Sequence, residues 1–265
     1  MNCHPSKVLL SQKMPGRLAR EEQLLADHAA LLGIPVVTAT EKMMERNKIA
    51  LDDECLVAGT VPFVLQAMRR LGIDVPKHNP YPDVLTEFLR RKVWRKDRLR
   101  DVLAERDKGG SRVFVKPADG WKRFTGFVVE FSSDYRFNGA SKNSPVWVSE
   151  PIEFISEWRV YVANGQLLDV RFADHGGDMS VKVDMNVVEN AVARLVLSSE
   201  TPAGFVIDFG VTSKGETALI EMNDGFSFGA YDGVSAQTYW NVTAARWFEL
   251  LNQASTSCIQ LSQRR

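Results

Sequence analysis

The stretch GFVIDFGVTSKGETALIEMNDGF, residues 204–226, decides the fold. It reads as two apolar strands joined by a short polar turn, with Asp208, Glu221 and Asn223 interrupting the apolar pattern near the strand ends. Side chains alternate along a strand, so Val206, Asp208, Gly210 and Thr212 share one face of the first strand, and Leu219, Glu221 and Asn223 one face of the second. A two-residue turn at Lys214-Gly215 places Asp208 directly opposite Glu221, with Asn223 one step further along. Opposed carboxylates repel, and neither strand offers a Lys or Arg on that face. A divalent cation would relieve them. Mg²⁺ takes hard oxygen ligands, usually one or two carboxylates together with phosphates and water, so the pattern predicts a nucleotide as well. The structural alternative is a pair of hairpin carboxylates beside a solvated edge.

The whole chain sets the bounds. Its 265 residues suffice for one large domain or two moderate ones, and 45% apolar with 25% charged residues is the balance of a globular enzyme. Thirty-three basic residues offset thirty-three acidic ones, which gives no reason to expect a nucleic acid or a membrane surface as partner. Cys3, Cys55 and Cys258 are widely spaced and odd in number, which argues for a reducing compartment without disulfides or zinc. The N-terminal MNCHPSKVLLSQK has an apolar run of three residues, too short for a signal peptide. No segment approaches the roughly 18 apolar residues of a membrane span. A cytoplasmic protein is expected.

Along the chain, residues 18–32 have helical apolar spacing that ends at Gly33, VVTAT (36–40) and CLVAGT (55–60) read as short buried strands, and a helix is expected over 61–71. This is a small α/β lobe, residues 1–78, followed by the proline-bearing linker DVPKHNPYPD (74–83). Residues 79–265 form the second unit. Charge-rich helices are expected at 83–92 and 97–107, then strands in RVFVKP, GFVVEF, PVWVSE, EWRVYVA and QLLDVRFAD, a helix over 185–198 capped by Asp184, the opening hairpin, and a closing helix over 234–252. The class is α+β: antiparallel sheets with flanking helices, preceded by the small lobe.

Several polar residues stand where chemistry needs them. Lys116 ends the strand VFVKP and projects as a compact charge suited to phosphate, or else as a snorkelling surface lysine. The turn DGWKRFTG gathers Lys122, Arg123, Thr125 and Gly126, a cationic and hydroxyl-bearing cover for a triphosphate or an ordinary solvated turn. In PVWVSEPIEF the strand stops at Glu150 and Pro151 blocks further pairing, leaving backbone groups over 148–153 for an adenine edge beside Val148 and Ile152. Asn164-Gly165 marks a hairpin turn. Before it, Glu157, Arg159 and Tyr161 form the polar face and Trp158, Val160 and Val162 the apolar one. An ideal register sends Arg171 to the face opposite Arg159, and a bulge would bring both to one site. His175 heads HGGD, a loop made mobile by two glycines, and Ser227 and Tyr231 lie in a glycine-punctuated loop directly after the hairpin.

Strand-Lys, basic turn, strand, strand ending in Glu, Arg on the next strand, helix, then Asp…Glu-x-Asn is the motif order of ATP-grasp enzymes. From about residue 80 to 250 the chain resembles that superfamily, and it looks most like small divergent ligases in which a Lys/Arg turn replaces the glycine-rich loop. The resemblance implies that Lys116 contacts the α/β-phosphates and that the segment around Glu150, Pro151 and Ile152 holds adenine, with Lys122, Thr125 and Glu157 also on the nucleotide. It implies that Asp208, Glu221 and Asn223 hold one or two Mg²⁺, with Mn²⁺ as a substitute, and that Arg159, with Arg171 as a second candidate, stabilises the moving γ-phosphoryl group. The implied activity is an ATP- and Mg²⁺-dependent carboxylate–amine ligase acting through an acylphosphate on an amino acid, peptide or similar small acid, with the N-terminal lobe on the substrate side. The alternatives are an ATP-grasp phosphotransferase and a nucleotide-binding regulatory module without turnover.

Overall fold

The N-terminal lobe is built on β1 (Lys7–Ser11), α1 (Arg20–Leu31), β2 (Val36–Ala39), α2 (Glu41–Glu45), β3 (Cys55–Ala58) and α3 (Val61–Arg70), and its three strands form a parallel sheet in the order β2-β1-β3. The computed structural model describes residues 5–14, 16–118, 124–198 and 201–262, with side chains described except at 174–176 and 257–262. The central strand β1, KVLLS, escapes the sequence analysis because a strand buried on both faces shows no alternation. In β2 the expectation of burial is corrected: Val36 and Val37 are exposed, because β2 is the sheet edge.

After the linker the chain forms a 3-10 turn over Asp83–Leu89 rather than an α-helix, ended by Arg90 in the left-handed region. The short β4 (Val93–Lys96), unforeseen among its charges, precedes α4 (Leu99–Asp107). With β5 (Val113–Pro117), β6 (Phe127–Val129) and β7 (Val146–Ser149) it makes an antiparallel sheet ordered β4-β7-β5-β6. The last sheet joins β8 (Phe154–Ala163) and β9 (Gln166–Gly177), then, after α5 (Met185–Val196), β10 (Gly204–Thr212) and β11 (Thr217–Asp224), ordered β11-β10-β8-β9; α6 (Ala236–Ser262) closes the chain. Asp184 caps α5 through Asn186 N–H at 2.9 Å. Asn164 and Gly165 both adopt positive φ, as their hairpin turn requires. The expected mobile loop at His175 is instead backbone of β9, with Gly177 paired to Ser156; the His175 side chain lies outside the described residues.

Strand alternation in β10 divides two cores. Phe205, Ile207, Phe209 and Val211 pack with Val188, Ala191, Val192 and Leu195 of α5. On the other face Val206 joins Tyr161 of β8 in a core shared with the N-terminal sheet and α6, where Trp247 is fully buried and donates Nε1–H to the Cys55 carbonyl at 2.7 Å. The N-terminal lobe therefore has no core of its own. A third cluster packs α4 on β5, β6 and β7.

Two bulges set which side chains face the cleft between the antiparallel sheets. In the β10–β11 hairpin the turn is longer than the two residues expected: Thr212 N–H donates to the Glu216 carbonyl at 2.9 Å, and Gly215 takes φ of 80°. Val211 pairs with Thr217 and Phe209 with Leu219, so a regular ladder would put Glu221 opposite Ile207. A bulge between these pairs and Asp208 shifts the register by one, and Asp208 faces Glu221 after all. The expectation that Leu219 shares a face with Glu221 and Asn223 is thereby corrected: Leu219 joins the α5 core with Phe209. In the β8–β9 hairpin a second bulge, between Tyr161 and Val162, pairs Arg159 directly with Arg171.

Candidate active site

The cleft residues come from four strands and one loop. Asp208 on β10 lies beside Arg159 on β8, its direct neighbour in the ladder, and the guanidinium reaches both carboxylate oxygens, Nε to Oδ1 at 2.8 Å and Nη2 to Oδ2 at 2.7 Å. Glu221 on β11 is met from the other sheet by Lys116 on β5, with Nζ to Oε2 at 2.5 Å, and by Asn223 Nδ2 to Oε1 at 3.1 Å. The premise that no cation serves this face is therefore corrected. The two cations arrive from a neighbouring strand and from the other sheet, which a reading confined to the hairpin does not reach.

Burial makes these pairs strong and tense. Desolvation pushes the Asp208 carboxyl up, against the pull of Arg159. For Glu221, burial also pushes upward, but the charge and hydrogen bond of Lys116 together with the Asn223 amide outweigh it and hold the carboxyl below its ordinary value. Lys116 is raised: burial alone would lower it, and Glu221 reverses the sign. Arg159 is likewise raised, burial being overcome by Asp208. Such pairs are costly to break one partner at a time, because the survivor is a buried, uncompensated charge.

The loop after β11 closes the floor. Arg159 donates Nη1–H to the Gly229 carbonyl at 2.9 Å and lies 4.1 Å from the Tyr231 ring centroid. Tyr231 donates its hydroxyl proton to Glu157 at 3.0 Å, and its N–H goes to the Tyr161 hydroxyl at 3.0 Å. At the loop's start, Asp224 is gripped by Arg246 of α6 through two bonds of 2.8 and 2.7 Å. Arg171 lies on the face of Arg159, bonded to Asp169 at 2.7 Å and close enough that a Cβ on Gly233 would come within 3.0 Å of it.

The remaining candidates are placed as follows. Lys122 lies outside the described residues. Thr125 is exposed, next to Gly126, where a Cβ would lie 3.0 Å from Lys116 Cβ; the end of the basic turn thus runs beside Lys116. The backbone over 148–153 is less free than expected. Val148 and Ser149 are paired to both β4 and β5, and Glu150 N–H donates to the Lys92 carbonyl at 3.1 Å while its side chain accepts from Lys92 N–H at 2.9 Å. Pro151 and Ile152 lie beyond the ladder, which leaves Ile152 as the segment's backbone hook.

Arg91 escaped the sequence analysis. It donates to the carbonyls of Leu219 at 2.7 Å and Ile220 at 3.0 Å, the groups that the bulge removes from the ladder, and to Leu89 at 3.0 Å. Tyr81, 4.5 Å from Lys116 Nζ to its ring centroid, escaped too. Neither carries a local sequence signal, since both act on residues distant along the chain. Asp224 and Arg246 were missed for the same reason, although Asp224 stands directly after Asn223.

Two carboxylates and an amide on adjacent strands are a hard-oxygen donor set, and Asn223 uses only its NH₂ on Glu221, leaving its carbonyl oxygen for an ion. These residues fit Mg²⁺ shared with phosphate and water. Among the described residues no three His, Cys, Asp or Glu side chains gather into a protein-only metal centre.

A cleft between two antiparallel sheets, with a strand lysine on one wall and Asp, Glu and Asn on the other, is the arrangement of an ATP-grasp protein. A family model for the ATP-grasp domain, that of the second family within its clade, matches residues 88–242, and the chain belongs to that family. Solved structures share the fold at low identity. A RimK domain ATP-grasp protein from Sphaerobacter thermophilus is 16% identical, with 92% of this chain and 99% of that one covered at a TM-score of 0.51. N5-carboxyaminoimidazole synthetase from Staphylococcus aureus is 10% identical over 91% and 77% of the two chains, TM-score 0.53. The ATP-grasp ligase PsnB, solved with a minimal precursor, is 13% identical over 91% and 99%, TM-score 0.51. A search of curated proteins finds no match. No helix among the described residues is long and apolar enough to cross a membrane.

Proposed function

We propose that the protein is an ATP- and Mg²⁺-dependent ligase that joins a carboxylate to an amine through an acylphosphate, with an amino acid, a peptide or a related small acid as substrate. The observation that carries this reading is the quartet Lys116–Glu221 and Arg159–Asp208, in which two cations and two carboxylates converge from separate sheets on one cleft. Lys116 would hold the α/β-phosphates, Ile152 the adenine through its backbone, and Asp208, Glu221 and Asn223 the Mg²⁺. Bound there, the ion would neutralise phosphate charge. Arg159, and Arg171 on the same face, would receive the negative charge of the γ-phosphoryl group as it passes to the substrate carboxylate; the amine then displaces phosphate. Such catalysis consists of positioning and charge stabilisation and needs no nucleophilic side chain.

The test is ADP release measured against panels of acids and amines. Turnover that requires both an acid and an amine, and is lost in Asp208→Asn and Glu221→Gln while the fold persists, supports the reading. A phosphorylated product that accumulates without any amine would make the protein a phosphotransferase, and unchanged turnover in both variants would remove the metal assignment.

A further inference from the structure

On the N-terminal side of the cleft, a second polar centre is built around Glu22 in the first turn of α1. Its side chain is 5% exposed. Oε1 accepts the Ser11 hydroxyl proton at 2.7 Å, and Oε2 has no hydrogen-bond partner among the described residues. The Ser11 hydroxyl is itself fixed, because it accepts from Thr60 N–H at 3.0 Å and so must spend its one proton on Glu22. Gly59 permits this approach: at φ of 148° it brings the chain so close that a Cβ would collide with the Ser11 side chain. Glu22, Ser11 and Thr60 line a cavity of about 420 Å³, with Lys13 and Arg17, both exposed, also among its lining residues.

A buried carboxylate with one oxygen held and the other unpaired lacks a cation or a strong donor. The position of the cavity suggests what supplies it. The residue before Glu22, Glu21, accepts the Ala230 N–H at 3.1 Å, and Ala230 adjoins Gly229, whose carbonyl is bound by Arg159. The start of α1 thus abuts the loop that floors the cleft.

We propose that this cavity is the acceptor subsite, and that Glu22, oriented by Ser11, binds the ammonium group of a free amino acid while Arg17 and Lys13 take its carboxylate. The placement as an acceptor subsite rests on the ligase reading; recognition of the ammonium group does not.

The experiment is therefore direct binding without nucleotide. Saturation-transfer NMR and calorimetry on the full chain would use the L- and D-amino acids, their N-acetyl derivatives and their methyl esters, with ATP binding measured in parallel. At least one amino acid should bind. N-acetylation and Glu22→Gln should each weaken it on the order of 100-fold, the size expected when one partner of a buried charge pair is lost, and the methyl ester should weaken it less. ATP binding should be unchanged in Glu22→Gln. That variant should also melt at a higher temperature than the ligand-free parent, because it removes an uncompensated charge, whereas a purely structural Glu22 would make the variant melt lower. No binding by any amino acid, equal binding by Glu22→Gln, or equal binding of the acetylated forms would overturn the proposal. Loss of ATP binding in the parent protein would count against the ligase reading instead.

Discussion

At the scale of single residues, Lys116 is both the nucleotide-side cation and the partner that makes a buried Glu221 tolerable. Lys116→Ala should therefore do two things at once: weaken ATP affinity by calorimetry and lower stability by about 1–3 kcal/mol in urea unfolding, the range between exposed and fully buried pairs. Equal ATP affinity would remove the phosphate role and leave only the structural one. The same pair sets a pH dependence. Glu221 is held below its ordinary value of 4.5, so its stabilising contribution is present above that value and is lost as pH falls through the folded-state value. Asp208 works in the opposite sense, since its raised carboxyl makes ionisation the costly state. The stability advantage of the parent over Glu221→Gln should accordingly be flat near neutrality and narrow below about pH 4.5, as read from urea midpoints at several pH values; a constant difference down to about pH 3 would contradict the ion pair.

At the scale of elements, the β10–β11 hairpin shows what could be read in advance and what could not. Residue types and alternation identified the strands, and Asp208 does face Glu221. The turn, however, is one residue longer than expected and the bulge compensates for it, two irregularities that strand periodicity does not encode. The β8–β9 hairpin is similar: only its bulge brings Arg171 to the face of Arg159. The Arg91 clasp belongs to the same category, because the carbonyls it binds exist as free acceptors only once the bulge forms. Arg91→Ala would leave the Leu219 and Ile220 carbonyls without these donors, so it should cost about 1–3 kcal/mol in stability. It should also slow Mg²⁺-dependent ADP release by allowing the register to relax and Glu221 to turn from the cleft. An Arg91→Ala protein with parental stability and turnover would show that the bulge holds itself.

At the scale of the whole molecule, the N-terminal lobe and α6 form one packed unit, although 192 positions of chain separate Cys55 from Trp247. Sequence reading separates the lobe at the linker because composition changes there, and composition says nothing about which distant helix completes a core. Trp247→Ala should cost about 3–5 kcal/mol and expose Cys55, whose thiol burial pushes up to about 12. Mass-spectrometric alkylation at about pH 8, where an exposed thiol is partly ionised, should find Cys55 protected in the parent and labelled in the variant; equal protection would mean that the lobe is sealed without α6.

The paired cleft also bears on how fast a nucleotide arrives. Lys116, Arg159, Asp208 and Glu221 together carry no net charge, and the chain as a whole has none either, so the ligand-free cleft casts little long-range field toward an approaching triphosphate. Encounter should be governed by diffusion and by exchange of ion-pair partners rather than by attraction from afar. In stopped-flow measurements with a fluorescent ATP analogue, the association rate should vary less than about threefold between roughly 50 and 300 mM salt. Glu221→Gln, which frees a positive charge at the mouth of the same cleft, should associate faster at low salt and lose that advantage as salt rises.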